Sequence, residues 1–164
     1  MGLRKWTLQH ATRPPPGLDA EMTIGEKEPH MESFSIRTGS RTDLKDITRE
    51  VASAVTGAGV AEGACIVYVP HTTAGVTINE NADPAVREDI ASALERVVPW
   101  NGPYRHMEGN SAAHVKASMM GFSAMVPVEG GRLVLGTWQG IYFCEFDGPR
   151  TRHVHVQVLR GAGA

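Results

Sequence analysis

Three short polar segments carry side chains that packing alone does not require. The first reads His71-Thr72-Thr73-Ala74-Gly75 and continues through Asn79-Glu80-Asn81-Ala82-Asp83. It lies between a predicted strand and a predicted helix start, where unpaired backbone N–H groups and the helix dipole attract anions. Threonine hydroxyls and asparagine amides at such a place could hold phosphate oxygens, and Glu80 and Asp83 could serve as acid or base. Each also has an ordinary use, since Thr72 and Thr73 suit a turn and Asp83 suits a helix N-cap.

The second segment is His106-Met107-Glu108-Gly109-Asn110-Ser111-Ala112-Ala113-His114. Two imidazoles flank a carboxylate and an amide, and neutral histidine nitrogens suit zinc, nickel, iron or copper with oxygen ligands completing the shell. The spacing matches no standard zinc motif, and His114 alone would equally suit a satisfied histidine on a helix face. The third segment is Gly136-Thr137-Trp138-Gln139-Gly140, followed by Asp147-Gly148-Pro149-Arg150-Thr151-Arg152. Thr137 and Gln139 sit beside a tight turn, and Arg150 could fork onto a phosphate or a carboxylate. Asp147-Gly148-Pro149 is also a good turn with no further role. His153 and His155 fall on the wetter face of an apolar strand, where a surface or subunit contact is the simpler use.

The surrounding pattern predicts the elements that hold these segments. Residues 32–38 read as a strand with Phe34 and Ile36 on one face. Leu44, Ile47, Val51, Ala54 and Val55 recur at helical spacing, predicting a helix from Thr42/Asp43 to a stop at Gly57/Gly59. Residues 64–70 form a buried type of strand, and residues 76–79 are extended again. A second helix has Asp83 as N-cap, Pro84 at its first position and Val86, Ile90, Leu94 and Val97 facing inward, with Pro99 ending it. A short third helix runs from a Ser111 cap to Gly121. The rest reads as strands over 123–128, 132–138, 141–146 and 152–159, separated by turns at Glu129-Gly130-Gly131 and Gln139-Gly140. The last alternates Val154, Val156 and Val158 against His153, His155 and Gln157. The expectation is a β-rich α+β domain of antiparallel hairpins with two to three helices.

Composition narrows the partners. The chain has 164 residues, 41% hydrophobic and 21% charged, with a formal charge of −2 and a pI near 6.4. That length suits one domain able to bury roughly 68–70% of its unfolded surface, and the charge offers no basic field for nucleic acid or an anionic membrane. No apolar run is long enough to span a bilayer, and no secretory signal is evident, so the expected location is cytoplasmic. Cys65 and Cys144 lie in separate apolar runs and read as reduced core thiols. Residues 1–30, with Pro14-Pro15-Pro16-Gly17 and no apolar period, read as a disordered N-terminal extension or an appended remnant ahead of a start at Met31; residues 31–160 read as a single domain.

Taken together and in order, the motifs His71-Thr72-Thr73-Ala74-Gly75, Asn79-Glu80-Asn81-Ala82-Asp83, His106-x-Glu108-Gly109-Asn110-x-x-Ala113-His114, Gly136-Thr137-Trp138-Gln139 and Asp147-Gly148-Pro149-Arg150 resemble the YjbQ family, also called the secondary thiamine-phosphate synthase type. The resemblance spans about residues 31–159. It implies two packed antiparallel sheets, sandwich-like or jelly-roll-like, and a homotrimer with pockets near subunit boundaries. It also implies a divalent metal held by histidines, with His71, His106 and His114 at the matching positions, and a pocket lined by Thr72, Thr73, Asn81, Asn110, Thr137, Gln139 and Arg150. The implied reaction joins a pyrimidine pyrophosphate to a thiazole phosphate and releases pyrophosphate. Glu80, Asp83 and Glu108 are the acids available to it. Three histidines suit zinc better than magnesium, the usual counter-ion of pyrophosphate. A zinc site with an open position would equally suit hydrolysis, and a non-catalytic trimer that binds metal or ligand is a third alternative.

Overall fold

Period-two alternation builds most of this structure, a computed structural model that describes residues 30–162. The expected N-terminal extension thus lies outside the described residues, apart from His30. In chain order the elements are β1 His30–Arg37, β2 Asp43–Asp46, α1 Thr48–Ala58, β3 Gly63–Tyr68, β4 Ala74–Glu80, α2 Pro84–Val97, α3 Ser111–Met120, β5 Ser123–Glu129, β6 Arg132–Leu133, β7 Gln139–Glu145 and β8 Thr151–Arg160. They form a five-stranded sheet in the order β1-β8-β3-β5-β6 and a three-stranded sheet in the order β2-β7-β4, with every described pairing antiparallel. The expected α+β architecture of two antiparallel sheets with three helices is therefore present.

The side chains sort into layers. Cys65, Val67, Val126, Val154, Val156 and Val158 of the large sheet meet Val51, Ala54 and Val55 of α1 and Val76, Ile141 and Phe143 of the small sheet in one core. On the other side of the small sheet, Tyr142, Cys144 and Phe146 pack with Leu94 of α2 and Ala113 and Ala117 of α3. Strand β7 is central and covered on both faces, so residues 141–146 are all buried and its sequence shows no alternation. The outer face of the large sheet has no covering layer among the described residues, and Met31, Tyr68, Met125 and Leu159 are exposed there.

Four local expectations change. The predicted first helix splits, because Leu44 pairs with Cys144 in β2 and α1 begins only at Thr48. The Asp46 carboxylate fixes that start by accepting from the Thr48 N–H at 2.9 Å and its hydroxyl at 2.5 Å. Val97 is exposed and Val98 takes the inward place at the end of α2. Asn110, rather than Ser111, is the residue before α3. Finally, β6 is only two residues long, and the turn falls at Thr137-Trp138, so Gln139-Gly140 opens β7 instead of forming a turn.

The Asp83 cap is as expected, its carboxylate accepting from the Ala85 N–H at 2.9 Å, with Pro84 beginning α2. Lys116 of α3 is buried, and its ammonium donates to the Glu95 carboxylate of α2, joining the two helices. Burial pushes the Cys65 thiol up to about 11 and the Cys144 thiol up to about 12, so both are protonated core thiols, as expected. No described helix is long and apolar enough to cross a membrane.

Candidate functional site

The polar centre of the structure arises where strand parity turns two charged groups inward. Glu145 shares its β7 face with Ile141 and Phe143, and Arg152 shares its β8 face with Val154 and Val156, so both point into the core between the sheets. They meet there. Arg152 Nε donates to Glu145 Oε2 at 2.7 Å and Nη2 donates to Oε1 at 2.6 Å, while Nη2 also reaches the Thr73 hydroxyl at 2.8 Å. Glu145 Oε1 further accepts from the N–H groups of Phe146 and Asp147, and Oε2 accepts from the Thr38 hydroxyl. A carboxylate so fully paired tolerates burial that an isolated one would not.

This network anchors the loop that leads outward to Asp147, Arg150 and Asn110. The Thr38 hydroxyl accepts from the Arg150 N–H at 2.8 Å. Arg150 folds back on the loop, donating from Nη2 to Asp147 Oδ2 at 2.6 Å and from Nε to the Asp147 carbonyl at 2.7 Å. Asn110 Nδ2 donates to the same Asp147 oxygen at 3.1 Å, but Asn110 Oδ1 is buried without a partner among the described residues. Arg150 is thus charge-compensated rather than free, although its side chain remains half exposed.

One helical turn beyond Asn110, His114 meets His106 edge to face at 5.2 Å between ring centroids. His106 Nε2 lies 3.8 Å from Glu108 Oε2. His71 stands elsewhere, its ring 6.3 Å from that of His153 and its Nε2 accepting from the His153 N–H at 2.9 Å. Of the three expected histidine ligands, His71 has thus committed its Nε2 lone pair to the backbone. Among the described residues no group of three or more His, Cys, Asp or Glu side chains is arranged to hold a metal ion.

The remaining candidates separate along β4. Ala74 pairs with Glu145 and Glu80 pairs with Gln139, so the two ends of that ladder are six residues, about 20 Å, apart. His71, Thr72, Thr73, Asn110 and Arg150 belong to the Glu145 end. Glu80, Asn81, Asp83, Thr137 and Gln139 belong to the other. There Asn81 Nδ2 donates to Asp46 Oδ2 at 2.8 Å, Asn81 Oδ1 accepts from the buried Tyr142 hydroxyl, and Gln139 Oε1 accepts from the Gly136 N–H. Burial would raise the Asp46 carboxyl, yet hydrogen bonds from Thr48 and Asn81 and the nearby Arg87 charge outweigh it and hold the group below its ordinary value. Most of these contacts order the chain itself. Thr72 and Thr137 are exposed, and the two described surface grooves contain none of the expected site residues.

Sequence reasoning missed Glu145, Arg152, Thr38 and Asp147. For Arg152 the available signal was a charged residue at the buried parity of the β8 valines, whereas the apolar run of β7 gave no parity by which to place Glu145.

The electrostatics at His71 give a pH dependence. Burial, then the Arg152 and His153 charges, lower its pKa below the ordinary value of 6.5, against the opposing pull of Glu145. The folded state therefore keeps the ring neutral where the unfolded chain would already be protonated. Stability from this group is undiminished above about pH 6.5 and falls as pH drops below it, with a slope of at most about 1.4 kcal/mol per pH unit for one proton. Urea unfolding of the wild type and His71→Asn between about pH 5 and about pH 7 should show a shallower decline in the variant.

An antiparallel α+β fold with a buried Glu-Arg network beneath a His/Asn/Arg cluster defines the class, and comparison identifies the family. The YjbQ family profile, described as UPF0047 protein YjbQ-like, matches residues 32–161. The chain belongs to this family. It is 53% identical over 130 residues to the UPF0047 protein YugU of Bacillus subtilis, covering 79% of this chain and 98% of that protein. It is 48% identical over 126 residues to the UPF0047 protein MJ1081 of Methanocaldococcus jannaschii, covering 77% and 91% respectively. Among solved structures, an uncharacterized conserved family protein from Clostridium acetobutylicum matches with a TM-score of 0.77 and 53% identity, over 78% of this chain and 99% of that one. A protein of unknown function from Sulfolobus solfataricus matches with a TM-score of 0.78 and 32% identity, over 80% and 97%.

Proposed function

We propose that the protein binds a small phosphorylated ligand at the Glu145 end of the small sheet and acts on it as a thiamine-phosphate synthase-like transferase. The observation that carries this reading is Asn110, whose Nδ2 is held by Asp147 while Oδ1 is buried with no donor among the described residues. An orphaned buried acceptor is costly and asks for a partner, and an exocyclic amino group on a heterocycle would supply one. Arg150 borders the same loop and can offer its remaining N–H groups to phosphate. His106 and His114 stand on the other side of Asn110 as donors for a departing pyrophosphate.

In the reaction, the thiazole nitrogen lone pair forms a C–N bond to the pyrimidine methylene as its C–O bond breaks, and that electron pair leaves with pyrophosphate. The protein's task is then to orient two rings and neutralise the leaving group. A divalent ion, zinc or magnesium, would supply further charge neutralisation. Among the described residues no three histidines are arranged around one ion, so no step above depends on such a shell. A homotrimer and a cytoplasmic location belong to the same proposal; the cytoplasm suits two reduced buried thiols. Hydrolysis is the second reading, favoured by Glu108 beside His106, a pair able to activate water.

The test is pyrophosphate release from the pyrimidine pyrophosphate with and without the thiazole phosphate, alongside calorimetric binding of each. Release that requires the thiazole phosphate, with Asn110→Ala weakening binding about tenfold to a hundredfold, is the expected result. Release without the second substrate favours hydrolysis, and no binding of either compound overturns the proposal.

A further inference from the structure

The outer face of the large sheet carries a repeated arrangement that the proposed reaction does not use. His153 and His155 occupy alternate positions of β8, so both side chains project from the same face, with Cα atoms about 6.6 Å apart. Across the ladder to β1, Ser35 lies opposite His153 and Ser33 opposite His155. Each serine hydroxyl meets the Nδ1 of its histidine, at 3.2 Å for Ser35 and 2.5 Å for Ser33. Each ring is also flanked by another ring. Tyr68 stacks on His155 with centroids 6.3 Å apart and planes 16° apart, and His71 lies 6.3 Å from His153 at 30°.

Two imidazoles are thus held in parallel settings with Nδ1 engaged and Nε2 unpaired among the described residues. When the serine oxygen accepts from Nδ1–H, the neutral ring has its lone pair on Nε2, the tautomer that ligates metals. Two such nitrogens on alternate strand positions can converge on one ion at about 2.0–2.1 Å and leave its other positions to water or an added ligand. His71 is excluded as a third donor because its Nε2 already accepts from the His153 N–H, so it supports the ring of His153 instead.

We propose that His153 and His155 form a two-histidine chelate for a divalent transition ion of the zinc, nickel or copper type, with Ser33 and Ser35 positioning the rings. Oxygen-seeking magnesium and calcium do not suit this donor set. The site is independent of the transferase reading, since neither histidine belongs to the Asn110 loop or to the His106/His114 pair.

Titration of full-length protein with Ni²⁺, in competition with a chromophoric chelator, tests it. The expected result is one chelated ion per chain, retained by the His106→Ala/His114→Ala double variant. Ser33→Ala should weaken that binding about 10–100-fold, and His155→Ala should weaken it further. His155→Asn, which keeps a polar partner for Ser33, guards against a loss that merely reports altered packing, and unchanged thermal midpoints should accompany all variants. The proposal is overturned if wild type binds no ion, if His155→Ala and His155→Asn bind as wild type does, or if the bound ion disappears with His106 and His114.

Discussion

Replacing Arg152 with methionine should destabilise the protein by about 3–5 kcal/mol, lowering the thermal midpoint by on the order of 10 °C or more. Glu145 is wholly buried and takes two of its hydrogen bonds from this guanidinium. Methionine would fill similar volume but leave the carboxylate with the Thr38 hydroxyl and two backbone N–H groups as its described donors. The charge then faces an apolar interior without a counter-ion, and this uncompensated burial, more than the lost attraction, sets the cost. The double variant Arg152→Met/Glu145→Leu separates the two effects. It removes both charges and should recover a large part of the stability, whereas a pair valuable mainly for its attraction would leave it as unstable as the single variant. Urea unfolding of wild type, single and double variants measures this directly. A single-variant cost below about 1 kcal/mol would place the pair among exposed salt bridges in energetic terms and contradict its burial.

The same pair explains where the sequence was informative and where it fell short. Elements with one wet face declare themselves. The valines of β8 alternate with histidines, and Asp83-Pro84 marks the start of α2 through a local capping interaction. Strand β2 escapes because Leu44 and Ile47 are three residues apart, a spacing that continues smoothly into the apolar face of α1; only the pairing of Leu44 with Cys144 separates them. Similarly, β7 is buried on both sides, so Glu145 is embedded in an apolar run whose period carries no facing information. Its inward direction becomes visible only through the register that also turns Arg152 inward. The candidate site was legible as motifs but not as one place. Local chemistry selected Asn81 and Gln139 together with Asn110 and Arg150, yet the length of the β4-β7 ladder sets them at opposite ends. His71, His106 and His114 illustrate the same limit, because residue type gives the capacity to ligate while tertiary hydrogen bonding decides whether the nitrogen is available.

Gly148 supplies the second large effect, since space rather than turn conformation accounts for its identity. The sequence Asp147-Gly148-Pro149 reads as an ordinary turn, but Gly148 is not among the residues with positive φ. A Cβ there would stand 2.4 Å from the Ser40 carbonyl oxygen, 2.8 Å from Thr38 Oγ1 and 2.9 Å from Glu145 Cγ. None of these neighbours moves cheaply. The Ser40 atom is backbone, the Gly148 N–H donates to the Arg41 carbonyl, and the Thr38 hydroxyl bridges Arg150 and Glu145. Gly148→Ala should therefore destabilise the chain by about 1–3 kcal/mol or more, as overpacking does in a closely packed interior. It should also pull Asp147 away from Asn110 and weaken ligand binding beyond the loss of folded protein. Gly39→Ala is the matched comparison, because its added Cβ would come no closer than 3.7 Å to Asp43 Oδ2; its effect should stay within about 0.5 kcal/mol. Equal unfolding free energies for the two variants would sink the steric explanation. A selective loss in Gly148→Ala would tie the stability of the buried Glu145 network to the geometry of the loop that carries Asp147 and Arg150.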